Sequence, residues 1–130
     1  MRLIKAIAGA SFLLASVAGV AAVDHEADLR QMLGKRVEAG PPVDCLNISQ
    51  ITNSYVVDRT AIIYEVAGGD MYVNRPDVGA ESLSRQKVLV TDTHVPQLCS
   101  VDTVTLVDST TGIQSGFVGL GKFVPYKKGR

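Results

Sequence analysis

Residues Tyr55–Asn74 read YVVDRTAIIYEVAGGDMYVN. This is the chain's densest run of β-branched and aromatic residues, the side chains that suit a pleated, half-buried surface. Asp58-Arg59 and Gly68-Gly69-Asp70 divide it into three pieces. Turn signals at those places predict consecutive antiparallel strands, with the two glycines supplying positive φ at a hairpin. In the middle piece, Thr60 to Val66, strand alternation puts Ile62, Tyr64 and Val66 on one face and Ala61 and Ile63 on the other. A strand apolar on both faces belongs at the centre of a sheet, not at its edge.

Working outward, Gly40-Pro41-Pro42 fixes an extended approach. Strands are expected at Val43 to Ile48 and at Ile51 to Val57, with a bend at Ser49-Gln50. Arg75 to Gln86 is polar, carries Pro76 and Gly79, and should be the longest loop. Lys87 to Val90 resumes strand character, and Thr91 to Gln97 is polar again. Val101 to Val107 alternates, with Val104 and Leu106 opposite Val101, Thr103, Thr105 and Val107. Ser109 to Gly112 is a turn. Ile113 to Val118 and Lys122 to Tyr126 are two last strands, parted by Gly119-Leu120-Gly121. The expected fold is mainly β. It is a small antiparallel barrel or sandwich of roughly six to eight short strands. The barrel is preferred, because several strands are apolar on both sides and the chain turns corners at glycine. With Trp absent, Tyr55, Tyr64, Tyr72, Phe117 and Phe123 are the large pieces available to the core.

One short helix is expected over Asp24 to Arg36 (DHEADLRQMLGKR). Asp24 can cap it, acidic residues fill the first turn, and Leu29, Met32 and Leu33 form a narrow apolar stripe. It is too short to be stable alone and should either pack over an opening or edge of the sheet or be partly disordered.

The first residues read as targeting. Arg2 and Lys5 precede an apolar stretch from Ala6 to Val20, and Val20-Ala21-Ala22 makes a small-residue exit. This is the pattern of a secretory signal peptide, cut after Ala21 or Ala22. An uncleaved anchor is the alternative, since Ala6 to Val23 just suffices to span a bilayer. The organisation is therefore 1–22 signal peptide, 23–36 short helix, 37–126 β-domain and 127–130 basic tail. Losing Arg2 and Lys5 leaves 11 basic against 13 acidic residues, a formal charge of −2. The expected location is periplasmic or secreted, without a stable membrane anchor once the signal is cut.

Cys45 and Cys99 are the only cysteines. In an exported chain a lone pair points to one structural disulfide. A reactive thiol pair would ordinarily show Cys-x-x-Cys spacing, and zinc needs about four ligands.

Candidate chemistry is sparse. His25 lies beside the cleavage site, and His94 sits in a polar loop with Asp92 but no nucleophile motif. Asp58, Asp70, Asp92, Asp102 and Asp108 lie at strand ends, where aspartate ordinarily caps turns. The glycine pairs open no helix and are not phosphate loops. No catalytic residue, metal site or cofactor is expected. Scattered arginines, few aromatics and near-zero charge argue against nucleic acid. Asp58-Arg59 and Asn74-Arg75 fall at one end of the predicted meander. Together, Asp58, Arg59, Asn74 and Arg75 form a candidate binding set for a small anionic group.

The order of short motifs carries a resemblance. Cys45-Leu46 is followed by Val57-Asp58-Arg59-Thr60, then Tyr72-Val73-Asn74-Arg75, then Leu98-Cys99 with Asp102, and finally Gly119-Leu120-Gly121-Lys122-Phe123-Val124-Pro125-Tyr126. From about Arg36 to Tyr126 the chain resembles a family of small exported proteobacterial proteins known only as a domain of unknown function. That family carries no activity to transfer. Many members have a second cysteine pair near the positions of Ala80 and Val118, and the resemblance leaves Cys45–Cys99 as the pair implied here. The function expected is a non-enzymatic exported β-domain that binds an envelope protein or small ligand or has a structural role in the envelope. The alternative is a small periplasmic hydrolase or ligand-processing enzyme using Asp58, Arg59, His94 or Asp102.

Overall fold

The computed structural model describes residues 24–129. The signal peptide read over 1–22 lies outside them. Helix α1 spans His25–Leu33. Ten strands follow: β1 Arg36–Glu38, β2 Cys45–Asn47, β3 Ile51–Val57, β4 Ala61–Val66, β5 Met71–Asn74, β6 Lys87–Thr91, β7 Gln97–Cys99, β8 Thr103–Asp108, β9 Gln114–Gly119 and β10 Phe123–Lys128. They form three antiparallel units: a five-stranded sheet ordered β1-β10-β5-β4-β3, a three-stranded sheet ordered β6-β8-β9, and a β2-β7 ribbon.

The stretch that suggested a meander is the meander. β4 lies between β3 and β5, in register Ile63↔Tyr55 and Ile63↔Val73. Its two faces feed two separate cores, as its alternation predicts. Ile62 and Tyr64 join Leu46, Leu98, Val104, Leu106, Val118 and Phe123 between the large sheet and the other two units. Ala61 and Ile63 join Leu29, Leu33, Val57, Met71 and Val73 under the helix. Burying each such side chain contributes on the order of 2 kcal/mol. Gly68 and Gly69 hold φ of 95° and 93° in the β4–β5 turn. Arg36 clamps that turn, donating from Nε and Nη2 to the Gly69 carbonyl at 3.0 and 2.9 Å.

Helix α1 begins where Asp24 accepts a hydrogen bond from the Ala27 amide and ends at Leu33, three residues short of Arg36, with Gly34 as its C-cap. Gly34 has φ 63°, which releases the chain into β1. The helix covers a face of the large sheet, not an opening or edge. The strand count exceeds the expected six to eight because β1 and β7 are three-residue segments held by distant partners. Lys127 and Lys128, read as a tail, pair with β1 as the end of β10.

The preferred barrel does not close. β3 ends the large sheet and β6 ends the three-stranded one, and no ladder joins them. The layers are those of a sandwich carrying a helix on one outer face. Residues 75–86 cross from one sheet to the other, with Leu83 buried in the core. The chain returns through Gly119-Leu120-Gly121. Cys45 and Cys99 face each other across the β2-β7 ribbon and form a disulfide. No helix among the described residues is long and apolar enough to cross a membrane.

Candidate functional site

The four residues of the sequence-derived set do come to one end of the meander, since Val57 pairs with Ala61 and Asn74 with Ile62. The side chains of Asp58, Asn74 and Arg75 are turned to structural work, and Arg59 is fastened by its backbone. Asp58 accepts the Arg85 amide at 2.7 Å and lies 3.6 Å from the Arg85 guanidinium. Arg59 is the one non-glycine described residue with positive φ, 58°, and its amide donates to the Leu83 carbonyl. The turn thus fastens the 75–86 crossover. Asn74 is fully buried, and its amide is engaged on both sides by the Gly121 main chain. Without exposed surface it is unavailable to a ligand.

Arg75 makes a bidentate ion pair with Glu26 of the helix, at 2.8 and 2.9 Å. It lines a cleft of about 440 Å³ with Arg30, Arg36 and Tyr126. Three arginines there would suggest an anion site. However, Arg36 is bonded to the Leu33 and Gly69 carbonyls, and Arg30 lies 3.7 Å from Asp24. The hydrogen bonds from Arg75 hold the Glu26 carboxyl below its ordinary value. A depressed folded value means that the pair stabilises above the unfolded-state value of about 4.3 and stops doing so as pH falls through the folded one. Glu26→Gln should therefore destabilise the protein at neutral pH and progressively less as the medium is acidified, as chemical denaturation over an acid pH series would show. Both partners are about half exposed, 50% and 53%, so the neutral-pH loss should stay within about 1 kcal/mol.

The remaining polar candidates do not converge on one another. Asp102 caps a turn by accepting the Cys99 amide, and Asp108 accepts the Thr110 and Thr111 amides, which hold its carboxyl low. His94 is exposed in the loop after β6. His25 belongs to helix α1, with Nδ1 3.5 Å from Asp28. Among the described residues no three His, Cys, Asp or Glu side chains gather closely enough to hold a metal.

A different region has the shape of a site. β3 and β6 flank a groove made of two adjoining hollows, of about 430 and 230 Å³, that share Ser54 and Leu89. The first reaches Met32 and Arg85. The second is walled by Ile48, Ile51, Tyr64, Thr91 and Leu98. Along both strands the groove side of the backbone is open. Among the described residues the main chain of Val88–Thr91 pairs with β8 alone, and that of Thr52–Val56 with β4 alone. By contrast, the free edge of β9 is covered by residues 77–79, through Asp77 and Val78 bonds to Gly119.

The outer face of the three-stranded sheet is also unusual. Val88, Val90 and Phe117 are 50%, 44% and 51% exposed. Register places Val90, Thr105 and Phe117 side by side, with Val88 and Val107 in the neighbouring row. Phe117 was expected in the core. Alternation instead sends it outward, because Val118 takes the inward position.

Tyr64 is the polar oddity of the groove wall. It is only 3% exposed, it stacks edge-on against Phe123 at 5.8 Å, and its hydroxyl has no hydrogen-bond partner among the described residues. Burial raises its pKa. A buried unpaired hydroxyl costs about 1–3 kcal/mol. Tyr64→Phe should accordingly stabilise the free protein, by about 1 kcal/mol in denaturant titration, and a net loss would show that the hydroxyl is already satisfied. Sequence reading missed the groove because β3 and β6 are far apart in the chain. The available signal was Val88-Leu89-Val90, apolar on both faces as a central strand would be, in a strand that has one neighbour. No family model, curated protein or solved structure matches the chain.

Proposed function

We propose that this protein is a non-enzymatic β-domain that works by binding another macromolecule in the periplasm or outside the cell. The observation that carries this reading is strand β6. It is an open sheet edge whose outward residues Val88 and Val90 are half exposed, on the same face as Phe117 two strands away. Soluble monomers blunt such edges with charge, proline or cover, and an apolar one left open is a surface for pairing. The export pattern at residues 1–22 and the Cys45–Cys99 disulfide support an oxidising location. The motif order that resembles a family of small exported proteobacterial proteins agrees with that location. An enzyme needs convergent polar groups in a concavity. Asp58 and Asp102 are engaged by backbone amides at separate turns, which favours binding over hydrolysis.

The test is in-cell crosslinking. The full chain, with a C-terminal tag, is exported from a Gram-negative host and captured after crosslinking, alongside Val88→Lys/Val90→Lys and Arg59→Ala variants. A discrete adduct lost in the valine double variant and kept in Arg59→Ala is the expected result. An adduct indifferent to the valines, or lost only with Arg59, would overturn the reading. N-terminal sequencing of the same material should begin at Ala22 or Val23.

A further inference from the structure

We propose that the occupant of β6 is a single extended polypeptide segment of a partner, apolar over about five residues, which adds to β6 as a fourth strand and fills the groove in front of β3. The proposal rests on the binding reading above and names its partner class. Three independent features ask for the same occupant. The main-chain donors and acceptors of Val88–Thr91 on the side away from β8 have no partner among the described residues. Another strand is the ligand that satisfies a row of such groups at once. The smaller hollow beside them is largely aliphatic, with Ile48, Ile51, Leu89 and Leu98 in its wall, while Arg85 and Lys87 line the larger one. A strand paired to β6 would turn alternate side chains into that groove. The intervening side chains would lie beside Val88 and Val90 on the outer face, so both sets are apolar.

The polar part of the wall sets a finer demand. Ser54 pairs across the ladder with Tyr64, whose buried hydroxyl is unpartnered among the described residues. An inward side chain or carbonyl that accepts a hydrogen bond would satisfy it. Strand β3 argues against a second copy of this chain as the occupant. If β6 of another molecule paired here, its own β8 would follow on the far side, where β3 forms the opposite wall of the groove. A strand with nothing behind it, such as a tail or a loop, avoids that conflict. β3 itself is the poorer edge to extend. Thr52, Asn53 and Ser54 are polar and exposed, and the ladder slips between Ile51 and Asn53.

The probe is a phage-displayed library of random twelve-residue peptides, panned on the folded, disulfide-intact protein. The expected enrichment is for a run of about five apolar, β-branched-rich residues. Three readouts on the enriched peptide then test the geometry. Hydrogen exchange of the β6 amides that β8 leaves unpaired should slow at least about tenfold when the peptide is bound. Removing one central peptide N–H by N-methylation should weaken binding about tenfold. Ser54→Arg, at an exposed position shared by both hollows, should weaken it at least about tenfold with unchanged thermal unfolding. Tyr64→Phe should weaken it by about three- to tenfold, although the free protein becomes more stable.

Several results would overturn the proposal. One is binding that leaves β6 exchange and N-methylation without effect, which would make the contact one of side chains only. Another is a peptide-free protein that already elutes as a dimer through β6. A third is a library that yields nothing, or peptides indifferent to Ser54→Arg. If the last occurs while the valine-dependent adduct persists, the strand-addition geometry fails and the binding function stands. If the adduct is absent too, both fail.

Discussion

Cys45→Ala/Cys99→Ala is expected to lower the free energy of unfolding by about 4 kcal/mol. The two cysteines are 54 residues apart, and closing a loop of that length removes roughly this much chain entropy from the unfolded state. Folding free energies of small domains run to about 5–15 kcal/mol, so the variant should sit close to its threshold at 37 °C. The melting temperature should fall on the order of 15 °C or more. The folded state explains why nothing else compensates. β2 and β7 are three residues each and pair only with each other, and an isolated two-stranded ribbon is marginal in water. Yet Leu46 and Leu98 are both buried in the main core. When the crosslink is gone, the ribbon can lift away and take these two leucines with it. Denaturant unfolding of the wild type with and without reductant, beside the double variant, measures the effect. Reduced wild type and variant should coincide, and a loss below about 1 kcal/mol would mean that the ribbon is held by its packing. Because Leu98 is also part of the groove wall, peptide affinity should fall with the same treatment.

How far the sequence could be read follows from how local each feature is. β4 was legible because its position depends on alternation within six residues, and both of its faces proved buried. β8 was legible for the same reason, with Val104 and Leu106 inward. The glycine pair at 68–69 announced its turn through φ alone. β1 and β7 were not legible, since three residues hold no period and their partners lie about 90 and 50 residues away. The choice between barrel and sandwich turned on whether β3 meets β6. That is decided by the twist and spacing of two separate sheets, which no local pattern encodes. Asp58, Arg59, Asn74 and Arg75 were correctly brought to one end. Sequence could not show that the side chains of Asp58, Asn74 and Arg75 already had partners, or that the Arg59 amide was tied to Leu83, because Leu83, Arg85, Gly121 and Glu26 reach them from elsewhere in the chain. The same blindness hid the groove, a property of two strand edges that fail to meet.

Asn74→Ala is expected to destabilise the fold by about 3 kcal/mol, a large effect for one polar side chain. The Asn74 amide donates from Nδ2 to the Gly121 carbonyl at 2.7 Å and accepts the Gly121 amide on Oδ1 at 2.9 Å. It therefore behaves as a second main-chain unit pairing β5 with the Gly119-Leu120-Gly121 corner. Truncation leaves a buried donor and a buried acceptor unpaired, each at about 1–3 kcal/mol, only partly offset by water entering. Gly121→Ala should be at least as severe, because a Cβ there would overlap the Arg75 carbonyl oxygen. The corner joins β9 of the small sheet to β10 of the large one, so loosening it weakens the hold of one sheet on the other. Asn74→Asp separates hydrogen bonding from packing. At neutral pH its carboxylate would be buried facing a carbonyl, and burial raises a carboxyl's folded pKa above the unfolded value of about 3.9. A raised folded value makes the variant's penalty largest above that folded value and smaller as pH falls towards the unfolded one. Protonated, the side chain can again donate to the Gly121 carbonyl and accept its amide. Asn74→Asp should therefore recover stability relative to wild type between pH 7 and pH 4, whereas Asn74→Ala should not. Equal behaviour of the two variants across that range would show that the corner is held by packing, with the amide bonds contributing little.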